Sequence, residues 1–338
     1  MSVYNGKKIL ITGGTGTIGQ HLVRRLLLDK PAVIRIFSRD EYKQFEMQQT
    51  LREYHNIRYL IGDVRDVNRL SRAMEDIDYV FHLAAMKHVP ACEYNPFEAV
   101  QTNVIGTQNV IQAALANDVT KVLFTSTDKA ISPTNTYGAT KLTAERLISA
   151  SEYQKGPRKT VFSSVRFGNV MGSRGSVIPL FKKQILEQGK ITITDKSMTR
   201  YMMTPSQAIR LILKANELSL GGEVFVLKMP IVNLLDLSEV IVEEMTKIYH
   251  VKDVQFEEIG LRPGEKMFEE LMTPDEVKKV VETPYMYIVP PAFGTSNRNY
   301  DKAGRDLEIL HQEVNYMPNE TIGKEKLRDW IKRESLLE

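Results

Sequence analysis

Lys7-Lys8-Ile9-Leu10-Ile11-Thr12-Gly13-Gly14-Thr15-Gly16-Thr17-Ile18-Gly19 decides the fold. The first six residues are short, apolar and β-branched, the composition of a buried strand. His21-Leu22-Val23-Arg24-Arg25-Leu26-Leu27 follows in helical period. Between them the glycines fall in the spacing G-x-x-G-x-x-G. Gly13 permits the tight turn, Gly16 lets backbone approach a pyrophosphate, and Gly19 lets the helix pack close on the strand. Thr15, Thr17 and Ile18 fill the loop, which the helix N-terminus turns towards an anion. Strand, glycine loop and helix in this order predict a dinucleotide site.

Working outward, Val33–Phe37 reads as the second strand. A site for NAD places an acid at its end, against the ribose 2′-hydroxyl. Here Ser38 and Arg39 come first, with Asp40 and Lys43 after them. An arginine pairs a 2′-phosphate bidentately, so the sequence predicts NADP. Strands are expected at 7–12, 33–37, 57–61, 78–83, 121–126 and 160–166. Helices are expected at 17–29, 41–54, 66–76, 97–117 and 137–155. That alternation predicts an α/β fold, a doubly wound parallel sheet of Rossmann type. Ligands bind at the carboxyl ends of such strands, where Asp63-Val64 and Ala84-Ala85 fall, with Lys87 just beyond.

After about residue 168 prolines interrupt the pattern. The sequence divides into a cofactor domain, 1–168, and a smaller C-terminal substrate-binding lobe, 169–338. A strand near 223–227 is expected to return to the first domain. Ser206–Leu218 reads as an amphipathic helix with Pro205 at its start. Leu327, Trp330, Ile331 and Leu336 suggest a docked terminal helix, while the stretch after Arg298 is otherwise unpatterned.

Composition narrows the function. Lys plus Arg number 45 against 42 Asp plus Glu, a net charge of +3, too mild to imply nucleic acid or a membrane surface. Cys92 is the single cysteine and reads as a small core residue. No apolar run approaches the roughly 18 residues that cross a bilayer. The first strand begins within ten residues of Met1, leaving no room for a signal peptide, and a cytoplasmic location is expected. Histidine and cysteine show no metal-ligand spacing, so no metal is expected.

Thr127-Asp128-Lys129 follows the fifth strand, and Tyr137 and Lys141 follow in turn. On a helix the last two share one face. An ammonium beside a phenol favours phenolate and predicts a tyrosine pKa below the usual value of about 10. That phenolate would accept a sugar hydroxyl proton. Arg174 and Arg262, with Arg200 next, suit a diphosphate. Asn169 is placed to hold a sugar or diphosphate oxygen. Lys87 is expected near both cofactor and sugar, Val170 near the cofactor and Val177 near the substrate.

These residues stand in motifs: Phe37-Ser38-Arg39-Asp40, Ala84 through Pro90, Ser126 through Ala130, Tyr137-Gly138-Ala139-Thr140-Lys141, Arg166 through Val170, Gly172 through Ser176, Met198-Thr199-Arg200 and Arg262 through Lys266. Together they resemble the extended short-chain dehydrogenase/reductases, and within them the soluble UDP-N-acetylglucosamine 4,6-dehydratases that invert C5. Retaining dehydratases carry Thr-Asp-Glu where this chain has Thr127-Asp128-Lys129. A branch linked to C3 epimerisation has methionine in place of Tyr137. The resemblance implies an NADP-dependent lyase acting on a UDP-N-acetylhexosamine. Tyr137 takes the C4 hydroxyl proton, Thr127 hydrogen-bonds the new C4 oxygen, Lys129 exchanges the C5 proton, and Asp128 protonates the leaving C6 hydroxyl. A homo-oligomer, dimer or hexamer, is expected by the same analogy. The competing readings are a UDP-sugar 4-epimerase, a retaining dehydratase and a non-catalytic NADP sensor.

Overall fold

The computed structural model describes residues 2–251, 253–293 and 321–338. Its strands are β1 (Lys8–Thr12), β2 (Val33–Ser38), β3 (Ile57–Ile61), β4 (Tyr79–His82), β5 (Lys121–Thr125), β6 (Val161–Arg166) and β7 (Asn169–Val170). Then come β8 (Lys190–Ile193), β9 (Thr199–Met203), β10 (Val224–Leu227), β11 (Ile231–Asn233), β12 (Gln255–Glu258), β13 (Val281–Glu282) and β14 (Met286–Val289).

Nine strands form the main sheet in the order β13-β14-β10-β6-β5-β4-β1-β2-β3. From β10 to β3 every pairing is parallel, and β14 and β13 add antiparallel edges. The doubly wound expectation therefore holds. Ile9, Leu10 and Ile11 are wholly buried, as a strand covered on both faces requires. Each such side chain contributes roughly 1.5–3 kcal/mol by leaving water. The order reverses at β1, whose neighbours are β4 and β2. A ligand crevice opens at the carboxyl ends of the strands at such a point.

Helix starts follow side-chain chemistry. Asp40 caps Glu41–Thr50 by accepting from the Lys43 N–H, and Asn135 caps Thr136–Gln154 by accepting from Gly138 N–H. Thr204 and Gln207 form a capping box around Pro205 at the head of Pro205–Leu218, satisfying N–H groups that have no partner within the helix. The segment expected as one helix over 97–117 is Pro96–Ala99, a π-helical turn Val100–Ile105 and Gly106–Ala116.

The later half is interleaved with the first. β10 pairs parallel with β6, and β14 continues the sheet beyond it. Tyr4 near the start donates from its hydroxyl to the Leu213 carbonyl of the Pro205–Leu218 helix. What remains is a lobe with its own core. The helices Val177–Gln188, Leu234–Tyr249 and Lys324–Arg333 bury Ile178, Phe181, Leu237, Ile241, Leu327 and Trp330 together. Small sheets β11-β9-β7 and β12-β8 flank them. Leu327, Trp330 and Ile331 dock the terminal helix as its apolar face predicts, and Leu336 packs beside them. The unpatterned stretch after Arg298 lies outside the described residues as far as position 320. Among the described residues no helix is long and apolar enough to cross a membrane.

Candidate active site

A cleft of about 550 Å³ opens at the ends of β1, β2 and β4. Gly13 adopts a φ of +72°, a region that side chains with a Cβ rarely enter. A Cβ there would also stand 2.8 Å from the Ala84 backbone nitrogen. At Gly19 it would stand 2.5 Å from the Gly14 carbonyl oxygen. The first glycine thus lets the loop cross the end of β4, and the third seats the helix on the loop. Thr15, Gly16, Thr17 and Ile18 line the cleft beneath the N-terminus of Thr17–Leu27. The backbone leaves room and directs N–H groups at an anion, so the residues present fit a dinucleotide.

Ser38, Arg39, Asp40, Lys43, Asp63 and Val64 line one wall, and Ala84, Ala85 and Lys87 another. Asp40 is occupied locally. It accepts from the Lys43 amide at 3.0 Å and pairs with the Lys43 ammonium, which holds its carboxyl below the usual range. The Arg39 side chain is 59% exposed, 3.6 Å from Asp63. Arg174, expected with the substrate, comes instead to the glycine loop. Its guanidinium donates to the Thr15 carbonyl, and its backbone N–H to Thr17 Oγ1 at 3.1 Å. The turn at Gly172 and Gly175, both with positive φ, carries it there.

The second group lies at the ends of β5 and β6. Asp128 is fully buried, its N–H tied to the Phe167 carbonyl. Its Oδ1 accepts from Thr127 Oγ1 and from the Lys129 ammonium, both at 2.9 Å, and from the Lys129 N–H at 2.8 Å. Its Oδ2 is buried with no hydrogen-bond partner among the described residues. A Cβ at Gly168 would stand 3.1 Å from that oxygen and 2.6 Å from the Tyr201 carbonyl oxygen, which is why the turn after β6 takes glycine. Lys129 also donates to Asn169 Oδ1 at 3.2 Å.

Tyr137 is half-buried in the first turn of Thr136–Gln154 and hydrogen-bonds Thr127. Lys141 follows one turn later, wholly buried. The expected depression of the tyrosine pKa is reversed. Burial raises the phenol, outweighing the Thr127 hydrogen bond. Lys141 instead donates to the Thr125 carbonyl at 2.5 Å and sits 4.0 Å over the Phe124 ring. Its own pKa is pushed down to about 7 by burial, against the opposing pull of Glu145. A lysine that shallowly charged is a weak support for phenolate. His82, between Thr12 and Thr107, is kept neutral by burial and then by Lys141, with a pKa of about 3.

Of the remaining substrate candidates, Arg200 is buried, donating to the Thr199 and Met267 carbonyls at 2.8 and 3.2 Å. Arg262 is exposed on the loop before Gly264, whose carbonyl accepts from Asn135 Nδ2 at 2.9 Å. Val170 is buried, and Val177 is the first residue of its helix.

Two residues escaped the sequence reading. Asn103, in the π-helical turn, accepts from Met86 N–H at 2.8 Å and donates to the Met86 carbonyl and to Thr140 Oγ1, both at 3.0 Å. It fastens the loop after β4 to the Tyr137 helix. Glu269 brings its Oε1 within 3.7 Å of the Lys129 ammonium. Its signal in the sequence is only an acidic pair, Glu269-Glu270, three residues past the Arg262–Lys266 motif.

A switch-point cleft shaped for a dinucleotide, with a tyrosine and lysine one helical turn apart beside it, defines a nicotinamide-dependent enzyme of the extended short-chain dehydrogenase/reductase type. Comparison with known proteins narrows this. The family described as polysaccharide biosynthesis protein matches residues 9–291. The inverting UDP-N-acetylglucosamine 4,6-dehydratase of Campylobacter jejuni is 43% identical over 315 residues, 92% of this chain and 91% of that protein. A UDP-glucose 4-epimerase of Rickettsia bellii is also 43% identical, over 289 residues, 84% of this chain and 83% of that one. Among solved structures, Pen from Bacillus thuringiensis is 55% identical over 99% of this chain and all of that one, with a TM-score of 0.91. The dTDP-glucose 4,6-dehydratase DesIV from Streptomyces venezuelae, solved with NAD, shares the fold at 21% identity, covering 96% of this chain and 97% of that one, with a TM-score of 0.71. The chain belongs to the polysaccharide biosynthesis family of extended short-chain dehydrogenases/reductases, whose relatives are sugar-nucleotide dehydratases and epimerases.

Proposed function

We propose that the protein is a UDP-N-acetylglucosamine 4,6-dehydratase that inverts C5. The observation that carries this is Lys129, an amine set against Asp128 and Asn169 at the end of β5, within the same group as Tyr137 and Thr127. C4 epimerisation needs no second acid–base group, and a carboxylate would serve retention.

The oxidised nicotinamide supplies a hydride acceptor and a positive charge that favours the Tyr137 phenolate. Tyr137 removes the C4 hydroxyl proton, and Thr127 bonds the resulting ketone oxygen. That ketone acidifies the hydrogen at C5. Lys129, as the free amine, takes this proton while Asp128 gives one to the departing C6 hydroxyl, and water leaves. Protonation of C5 from the opposite face would set the L configuration of the 4-keto-6-deoxy product, with the bound nicotinamide as the source of the hydride at C6. Arg200, Arg262 and Asn169 serve the UDP-sugar, and Arg174 serves the dinucleotide. NADP is the preferred cofactor in this reading, because Asp40 is spent on its helix cap and Arg39 stands open to a 2′-phosphate. Exposed Tyr94, Phe97 and Ile105 on the helical segments 89–105 suit pairing of copies into a homo-oligomer.

The experiment is turnover of UDP-N-acetylglucosamine in deuterated water, read by mass spectrometry and NMR. Loss of water, deuterium at C5 and inverted configuration are expected. The 4-epimerase named among the relatives supports the competing reading, and a product that keeps its 6-hydroxyl establishes that reading instead.

A further inference from the structure

Glu269 belongs to neither the dinucleotide cleft nor the Tyr-Lys pair, yet it is buried against the reacting group. Its side chain is only 4% exposed, its Oε1 lies 3.7 Å from Lys129 Nζ, and its Oε2 is buried with no hydrogen-bond partner among the described residues. Burying a carboxylate with an unpaired oxygen is costly unless a proton or a cation compensates it. The charged groups around it are Lys129 and Asp128 from the β5 end, Arg200 from β9 and Lys266 from its own segment. Arg200 donates to two carbonyls and Lys266 to the Ile131 carbonyl. Among the described residues, Lys129 is therefore the cation that lies in ion-pair range.

We infer that Glu269 is a positioning residue for Lys129, taking up the proton that the amine must lose before it can act as a base. This rests on the dehydratase reading above. In the step, a proton passes from Lys129 Nζ to Glu269 Oε1. Ammonium becomes amine and carboxylate becomes carboxylic acid, with no change in the charge of the pair. A shift of under about 1 Å brings the two atoms to hydrogen-bond distance. Burial favours the neutral pair over two separated ions. In keeping with this, burial raises the Glu269 pKa, opposed by Lys129 and assisted by Asp128. The amine so freed lies beside Asp128, which has to retain a proton for the leaving hydroxyl, and Glu269 relieves Asp128 of accepting it.

The test compares pH profiles of kcat for the parent, Glu269→Gln and Glu269→Asp on UDP-N-acetylglucosamine. Glu269→Gln is expected to lose roughly 10²-fold in turnover, the lower end of the usual range for acid–base groups, and to lose one ionisation from the profile. Glu269→Asp is expected to keep that ionisation and recover part of the rate. A Gln variant whose profile keeps the parent's shape, at whatever rate, overturns the inference. A second measurement needs neither turnover nor a folded Glu269 variant. In the parent labelled with ¹³C-glutamate, the Glu269 carboxyl is expected to titrate above the ordinary glutamate range. In Lys129→Ala it is expected to titrate higher still, because the cation is gone. The same titration in both proteins overturns the pairing. A parent that gives no 4-keto-6-deoxy product defeats the dehydratase reading alone, and the NMR titration still decides whether the two groups share a proton.

Discussion

The dinucleotide cleft and the Asp128–Lys129–Glu269 group are built in opposite ways. The cleft is made largely by backbone: three glycines, a helix N-terminus and the ends of adjacent strands, mostly from residues 13–19, 37–40 and 83–88. The second group is made by side chains from the ends of β5 and β6, from β9 and from the loop before 270, and it buries Asp128 completely. The first is shaped by backbone and helix dipoles, with Arg39 and Arg174 adding charge at its walls. The second holds buried charges within a few ångströms of one another. Substitutions in the first are expected to act on binding, and in the second on the chemical steps.

The largest effect is expected at Lys129. In Lys129→Ala the cleft and the Tyr137–Lys141 pair remain, so C4 oxidation remains possible. C5 exchange and water loss are expected to fall by roughly 10²–10⁴-fold. Deuterium incorporation at C5 measures it, and a variant that dehydrates at the parent rate makes Lys129 a bystander.

Next is Arg166, which ties the Tyr137 helix to the segment 271–276. Fully buried, it pairs with Glu145 on the Tyr137 helix at 2.6 Å and donates to Glu276 and to the Leu271 carbonyl at 2.9 and 2.8 Å. Arg166→Leu leaves two carboxylates without their cation and is expected to destabilise the fold by about 3–5 kcal/mol, measured by urea unfolding. A loss below about 1 kcal/mol would show that this junction holds by apolar packing alone.

Lys141 separates stability from chemistry. Its pKa falls from 10.5 to about 7 on folding. Between those values the unfolded chain binds a proton that the folded chain does not, so this residue's contribution to stability falls as pH drops from 10.5 to 7 and is level below. Lys141→Met is expected to remove that slope, to gain roughly 1–4 kcal/mol at pH 7 and to lose only part of hydride transfer, because the ammonium is held on the Thr125 carbonyl. Thermal melts of parent and variant from pH 7 to 10 measure the first, and single-turnover absorbance the second. Near-parental turnover would remove the Tyr137–Lys141 pair from the mechanism.

The smallest effect is confined to the cleft. Arg39→Ala is expected to weaken NADP by roughly ten- to a hundredfold, the worth of one charge-assisted hydrogen bond, and to leave NAD nearly unchanged. Titration of both cofactors measures it, and equal losses would mean that Arg39 does not read the 2′ position.

What the sequence determined by itself was local. Glycines at 13, 16 and 19 constrain a single turn, and a strand followed by that turn and a helix has few ways to pack. Alternating apolar segments then dictated the parallel sheet, and β10 was legible because Val224–Leu227 has the same composition as the strands it joins. Tyr137 and Lys141 were legible because i and i+4 share a helix face. Only the tertiary structure decided the electrostatics. It carried the Lys141 ammonium to the Thr125 carbonyl, away from the role of lowering the phenol, and brought Arg174 to the glycine loop. It placed Glu269, 140 positions along the chain, against Lys129. Secondary structure follows from interactions over a few residues, which spacing records. A pKa follows from burial and from charges a few ångströms away, and those distances exist only once the chain has closed on itself.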